Sequence, residues 1–402
     1  VMAPKVYKTE STENTYTGRP TNMMSLAKGT TSTSFSTKYR LRMYVDESYN
    51  PQGDGGNLAF SIKINAYGKT GDKIPEPTAA EVLAAKANAE DLDYNSATDA
   101  QKKEMWTFTH EATEQTTALT DYRYIGADPN NYVKFNDELW RIIGVFDTDD
   151  GTGKVEKRLK IIRNESIGSY SWDNKDTTTG AETAWGKNEW TDARLNYLLN
   201  PGHESETAGG SLYWNRGAGN CYKGYQNATK TCDFTTTGLT EKAKAMIVTA
   251  KWYLGGTERY NSSSNGLASH WYKYERGTKV YSGRGTSWTG KVGLMYLSDY
   301  GYATSGGATT NRASCLAKEL TKWDDSSVSD CKDNDWMYNS SKSQWTITPK
   351  FNTNGVFYVD NTGYVNSNIV YGDCGVRPVV HLKSTIKVIS GSGTTSSPYI
   401  LG

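Results

Sequence analysis

Near the start of the chain the apolar positions recur every second residue. Tyr39, Leu41, Met43 and Val45 alternate with Lys38, Arg40, Arg42 and Tyr44, and Phe60, Ile62, Ile64 and Ala66 repeat the period. That spacing turns one face of each segment toward a core and predicts strands. The intervening Asn50-Pro51-Gln52-Gly53-Asp54-Gly55-Gly56 reads as a turn. Weaker strands are expected over Lys5–Thr9 and Asn22–Ala27. Residues 11–75 therefore read as a β-sandwich of four or five strands, thin enough to be incomplete. Its open edges must be covered or paired.

The period changes after Pro75 and Pro77. Thr78 stands three residues ahead of Glu81, the spacing of a capping box, and predicts a helix over Thr78–Lys86. A second helix is expected from Thr98 to Thr113. Both segments are Ala-rich and polar, so residues 76–120 read as a helical insert or linker. Residues 121–402 read as one large domain. Tyr132–Phe146 is a strand run carrying Val133, Phe135, Leu139, Trp140, Ile142, Ile143 and Val145. The turn Asp147–Gly153 returns it into Arg158–Arg163 as a hairpin. Helices are expected at 190–199, 240–253 and 314–323. Strands follow at Gln344–Thr348, Val356–Asp360 and Gly375–Leu382, and a hairpin of Ile386–Ile389 with Tyr399–Leu401 closes the pattern. The class is α+β.

Composition narrows the function classes. The chain of 402 residues carries 45 Lys+Arg against 44 Asp+Glu, without the basic excess of a nucleic-acid binder. Its 28 Tyr and 12 Trp are the opposite of a disorder signature. No apolar run approaches the ~20 residues that span a bilayer, so no membrane span is expected. The sequence starts at Val1, and the expectation is a protein at the cell surface or outside the cell after removal of a leader peptide.

Of the five cysteines, Cys221 with Cys232 and Cys315 with Cys331 form local pairs without the CxxC spacing of zinc or thioredoxin chemistry. Read as disulfides, they place the protein outside the cytosol; the alternative is buried thiols. Cys374 is left over, as a buried thiol or an intermolecular bridge.

Three C-terminal segments then carry a resemblance: Trp345-Thr346-Ile347-Thr348-Pro349, Asn361-Thr362-Gly363-Tyr364-Val365, and Gly375-Val376-Arg377-Pro378-Val379-Val380-His381-Leu382. Their order resembles the W-L-R-S-P … G … G-V-R-P ending of a family of bacterial surface proteins. Phe135-Asn136-Asp137-Glu138-Leu139-Trp140-Arg141-Ile142-Ile143-Gly144 is similar to the same family. The family is similar in fold to formylglycine-generating enzymes and the variable proteins of diversity-generating retroelements. The resemblance implies a C-type-lectin-like domain over residues 121–402, with Trp140, Trp345 and Arg377 in structural roles. Thr346-Ile347-Thr348 departs from the Leu-Arg-Ser of the pattern, and Cys374 stands where the family usually has another residue. More weakly, the Tyr39–Val45 and Phe60–Ala66 strands resemble the jelly-roll subunits of biofilm matrix fibres, which join by donating an N-terminal strand. An immunoglobulin- or jelly-roll-like sandwich is the form that likeness implies.

Catalytic signatures are weak. His110, His203, His270 and His381 fall in separate segments with no HExxH or HxH pair, so no metal site is expected. There is no adjacent cysteine pair for a copper oxidase, and no P-loop. Asp147, Asp149 and Asp150, and Asp330, Asp333 and Asp335, form acidic loops of a kind that suits calcium, but the first lacks the DxDxDG spacing. No cofactor is expected, calcium being the one candidate, and the chain reads as no enzyme. Tyr272, Tyr274 and Tyr281 read as loop tyrosines available for ligand contact, because Tyr gives large contact area at small entropic cost. Asn164, Asn227, Asn261 and Asn339 are sequons and candidate glycosylation sites.

The segment Val1–Thr9 alternates small apolar residues ahead of the thin sandwich. Donated to the next subunit, it would complete that sandwich, with Val1, Ala3, Val6 and Tyr7 filling pockets. Such a heterologous contact builds filaments. The alternative is an arm (residues 1–10) folded back on its own domain. The expected function is a structural subunit of a secreted bacterial surface filament, a homopolymer displaying a lectin-like domain. The alternative is a monomeric adhesin or lectin whose C-terminal loops bind glycan or a host-surface protein.

Overall fold

The Thr78 capping box forms. The Thr78 hydroxyl accepts the Glu81 N–H at 3.3 Å while the Glu81 carboxylate accepts the Thr78 N–H at 2.8 Å. Helix α1 then runs over Ala79–Ala84 and buries Ala79, Ala80 and Leu83. This comes from a computed structural model that describes residues 76–175, 186–255, 266–280, 284–351 and 354–402. The chain divides after Glu76, and the unit described is Pro77–Gly402. The strands expected before Glu76 and the arm residues Val1, Ala3, Val6 and Tyr7 lie outside the described residues, as do Tyr281 and Asn261.

A second capping box, Thr98 with Gln101, starts α2, but that helix stops after Asp99–Lys102. The expected continuation to Thr113 is corrected by strand β1, Met105–His110. Met-Trp-Thr-Phe-Thr-His alternates with period two and contains two β-branched threonines, which favours a pleated strand over a helix. β1 pairs antiparallel with β2 (Leu119–Tyr124) over six residue pairs. Residues 77–120 are thus part of the same unit as the rest, not a separate helical insert.

The expected single strand over Tyr132–Phe146 is two. β3 (Tyr132–Phe135) and β4 (Glu138–Asp149) are joined by Asn136 and Asp137, both with positive φ (58° and 62°). That is the backbone of a type I′ hairpin turn, which Asn and Asp tolerate. β4 continues into β5 (Val155–Arg163) through Asp149, whose carboxylate accepts the Gly151 and Gly153 N–H groups at 2.8 and 3.0 Å. Gly144 sits at a bulge in β4, where an added Cβ would lie 2.1 Å from the Tyr122 carbonyl oxygen.

The remaining strands are β6 (Ser169–Tyr170), β7 (Ala218–Tyr222), β8 (Thr229–Asp233), β9 (Ala250–Tyr253), β10 (Ser287–Gly290), β11 (Val292–Gly293), β12 (Gln344–Pro349), β13 (Gly355–Val359), β14 (Val365–Ile369), β15 (Cys374–Gly375), β16 (Val379–His381), β17 (Val388–Ser390) and β18 (Tyr399–Leu401). The helices after α2 are α3 (Arg194–Leu199), α4 (Leu212–Asn215), α5 (Glu241–Met246), α6 (Ala268–Glu275), α7 (Leu297–Tyr302), α8 (Arg312–Leu316) and α9 (Ser329–Asp333). The helix expected over 240–253 is therefore only its first half. After Met246 the β-branched run Ile247-Val248-Thr249 turns extended and leads into β9.

The result is a mixed α+β unit. Its large sheet runs β11-β16-β5-β4-β3-β18-β17, with β2 added on β4 and β1 at the edge. β18 lies parallel to β3, between β3 and β17. A second sheet runs β14-β13-β12-β15-β6. Trp140, Trp172, Trp190, Trp252, Trp271, Trp323 and Trp345 fill the interior and are all fully buried. Cys221–Cys232 bridges the β7–β8 hairpin and Cys315–Cys331 ties α8 to α9.

Candidate functional site

Charged side chains meet inside the unit where β2, β5, α6 and α7 converge. Asp121 and Arg123 are two apart on β2 and so share a face. Arg123 donates to Asp121 Oδ2 at 2.8 Å and to Asp299 Oδ1, on α7, at 3.0 Å. Lys160 of β5 pairs with Asp299 Oδ2, which also accepts the Tyr296 N–H at 2.9 Å. None of these four charged side chains is more than 2% exposed. At the end of α6, the Arg276 guanidinium lies 3.6 Å from the Tyr272 ring centroid, and His110 stacks on the same ring at 3.7 Å. His110 Nε2 is 3.0 Å from Asp121 Oδ2, and burial lowers the imidazole's pKa against the pull of that carboxylate.

Charges taken out of water persist only when paired and hydrogen-bonded. Burial pushes the Asp121 carboxyl up, but Arg123 and His110 outweigh it and hold it well below the usual range. Burial likewise opposes ionisation of Asp299, and Lys160 and Arg123 override it. The hollow beside this cluster measures about 30 Å³, lined by Asp121, Lys160, Arg276 and His381 among others. That is room for a water, not for a substrate. The cluster spends its charges on one another and acts as an internal strut.

Glu275 differs. Burial raises its carboxyl to about 7, against the pull of Arg276 and the Ser298 hydroxyl and N–H that it accepts. A raised folded pKa means the folded state holds the proton more tightly than the unfolded state. Stability relative to Glu275→Gln should therefore fall as pH rises from about 4.5 to about 7, and level off above. Urea unfolding of both proteins across that range checks this; parallel pH profiles would remove Glu275 as the titrating group.

A larger opening lies along the edge strand β1. This cleft of about 240 Å³ is lined by Trp106, Thr107, Phe108, Thr109 and His110 of β1, with Glu90, Ser269, Tyr302, Arg312 and Leu316. Strand alternation puts Trp106, Phe108 and His110 on one face, where the Phe108 and Tyr302 rings meet edge-on at 5.2 Å. Glu90 accepts the Thr109 N–H at 3.0 Å and so caps part of the strand edge. Arg312 stands at the start of α8 with its guanidinium 4.8 Å from the Phe108 ring centroid. Its Nε donates to the Thr304 carbonyl at 3.2 Å.

The residues singled out from sequence are dispersed. Tyr272 is 2% exposed and held between His110 and Arg276, so it is a packing residue, not a loop contact. Tyr274 is on α6, half-buried against Trp271. Trp140 donates to Glu138 at 3.2 Å, and Trp345 donates to the Tyr170 carbonyl at 2.9 Å. Arg377 is buried and donates to the Arg163 carbonyl at 2.8 Å and to Gln344 Oε1 at 3.0 Å. Cys374 is unpaired and buried, with burial pushing its thiol up to about 12. Asn227 is exposed at the β7–β8 turn, whereas Asn164 and Asn339 are half-buried and the Asn339 carbonyl is engaged by Ser341. Among the described residues the histidines and acids form no metal-holding group. The acidic turn at Asp149 and Asp150 is closed by Gly151, Gly153 and Thr152.

Sequence reasoning missed both the strut and the cleft. The one local signal for the strut was a pair of charges on the same face of an aromatic strand, in Asp121-Tyr122-Arg123-Tyr124. No family signature, curated protein or solved structure matches the chain.

Proposed function

We propose that the chain is a subunit of a secreted bacterial surface filament, assembled head-to-tail by N-terminal strand donation, whose residues 121–402 are a displayed C-type-lectin-like domain behind an N-terminal sandwich. The observation that carries this reading is the pair of disulfides, because such bonds persist in oxidising compartments. One further feature supports it. The chain divides after Glu76, leaving the candidate assembly region as its own segment. The buried charges are consumed in pairing, and this reading gives them no catalytic role.

Deleting residues 1–10 should convert fibres seen by negative-stain microscopy into soluble monomers. Fibres that persisted after the deletion would remove strand donation. The β1 cleft favours a second reading, a monomeric adhesin that binds through this unit. A glycan array with specific hits, together with monomers in micrographs, would select it.

A further inference from the structure

Lys160 is the one buried lysine among the described residues. Its side chain is 2% exposed, whereas the other ion-paired lysines there are between 14% and 66% exposed. An ammonium that has lost its water so completely is held at a cost that a single carboxylate only partly offsets. Its nitrogen lies against Asp299 Oδ2 and is walled by rings, with the centroids of Tyr296 at 4.4 Å, Phe146 at 5.4 Å and Trp252 at 5.9 Å. Burial lowers the pKa of the Lys160 ammonium against the pull of Asp299, and so favours the neutral amine, which is a nucleophile. Arg123 holds the other carboxylate oxygen, Oδ1, at 3.0 Å and draws electron density from the carboxyl carbon. His381 stands directly across from Lys160 on β16 and lines the same small hollow. Burial, and after it the Lys160 charge, hold its imidazole neutral and able to carry a proton.

We propose that Lys160 and Asp299 condense into an isopeptide bond that cross-links β5 to α7. In the contact the ammonium hands one proton to Oδ2, and the freed amine attacks Cγ. The Nζ–Cγ bond forms, a second proton passes from nitrogen to Oδ2 by way of His381, and the Cγ–Oδ2 bond breaks as water leaves. The third hydrogen stays on the amide nitrogen, and Oδ1 becomes the amide carbonyl, still accepting from Arg123. No oxidant, reductant or co-reactant enters. The adjoining hollow of about 30 Å³ has room for the water released. Fixed contact stands in for concentration, since well-oriented groups reach effective molarities of ~10⁵–10⁸ M. The link removes one buried positive and one buried negative charge together, and Arg123 keeps Asp121 at 2.8 Å. The site belongs to the folded 77–402 unit, and its test does not depend on how the chain assembles.

The experiment is intact mass spectrometry of the folded full chain, reduced and denatured before injection. The wild type should weigh one water less than its sequence. Proteolysis and tandem fragmentation should then yield a branched peptide joined between Lys160 and Asp299. Lys160→Arg and Asp299→Ala should each restore the full sequence mass and abolish the branch. The wild-type mass and the branch map decide the matter even where a variant does not fold. A wild type at its full sequence mass, a deficit that persists in both variants, or a branch mapped to other residues would overturn the proposal.

Discussion

Asp299→Ala is expected to lower stability by roughly 3–5 kcal/mol, the cost of breaking a buried ion pair and stranding its partner. Here Lys160 is stranded and Arg123 is left with Asp121 alone. Asp299 takes Arg123 on one oxygen and Lys160 on the other, and the Tyr296 N–H loses its acceptor as well. Lys160 and Arg123 are each only 2% exposed. Asp299→Asn keeps the shape and the acceptor but not the charge, and should fall between wild type and Ala. Urea unfolding followed by circular dichroism measures both. A loss below about 1 kcal/mol, the range of exposed pairs, would mean that the cluster is solvated and not a strut. The exposed pair Lys103–Asp128 supplies the contrast: removing either partner there should cost little.

Trp345→Ala should be comparably severe, at roughly 3–5 kcal/mol. Its ring is 1% exposed and edge-on to Tyr358 at 6.1 Å, and its indole N–H ties β12 to the Tyr170 carbonyl on β6. Alanine leaves a cavity at the middle of the second sheet and one carbonyl short of a donor. Trp345→Phe refills most of the cavity without the hydrogen bond, so its smaller loss separates packing from bonding. The same unfolding titrations decide it. Equal losses for Ala and Phe would assign the effect to the hydrogen bond alone.

Local signals were legible where neighbouring residues satisfy one another. Thr78 and Glu81 announce α1 because a hydroxyl and a carboxylate three apart meet the orphan N–H groups of one helical turn. Met105–His110 and Asn136-Asp137 were misread for opposite reasons. In the first, a good helix start at Thr98 masked the period-two run behind it. In the second, Asn and Asp carried a hairpin turn without the glycine that usually marks one. The cysteine pairs were legible because each spans a short loop, 11 and 16 residues in separation.

Alternation and caps follow from residues within a turn or a hairpin of one another, so the α+β class could be read directly from the chain. The strut could not. Arg123 and Asp299 are 176 residues apart, and nothing in either neighbourhood marks the other as its partner. The loop tyrosine Tyr272 became a buried ring, and Arg312, unremarkable in sequence, packs on the Phe108 ring. Whether a charge is solvated or paired depends on what surrounds it in three dimensions, and folding settles that only when distant segments pack and exclude water.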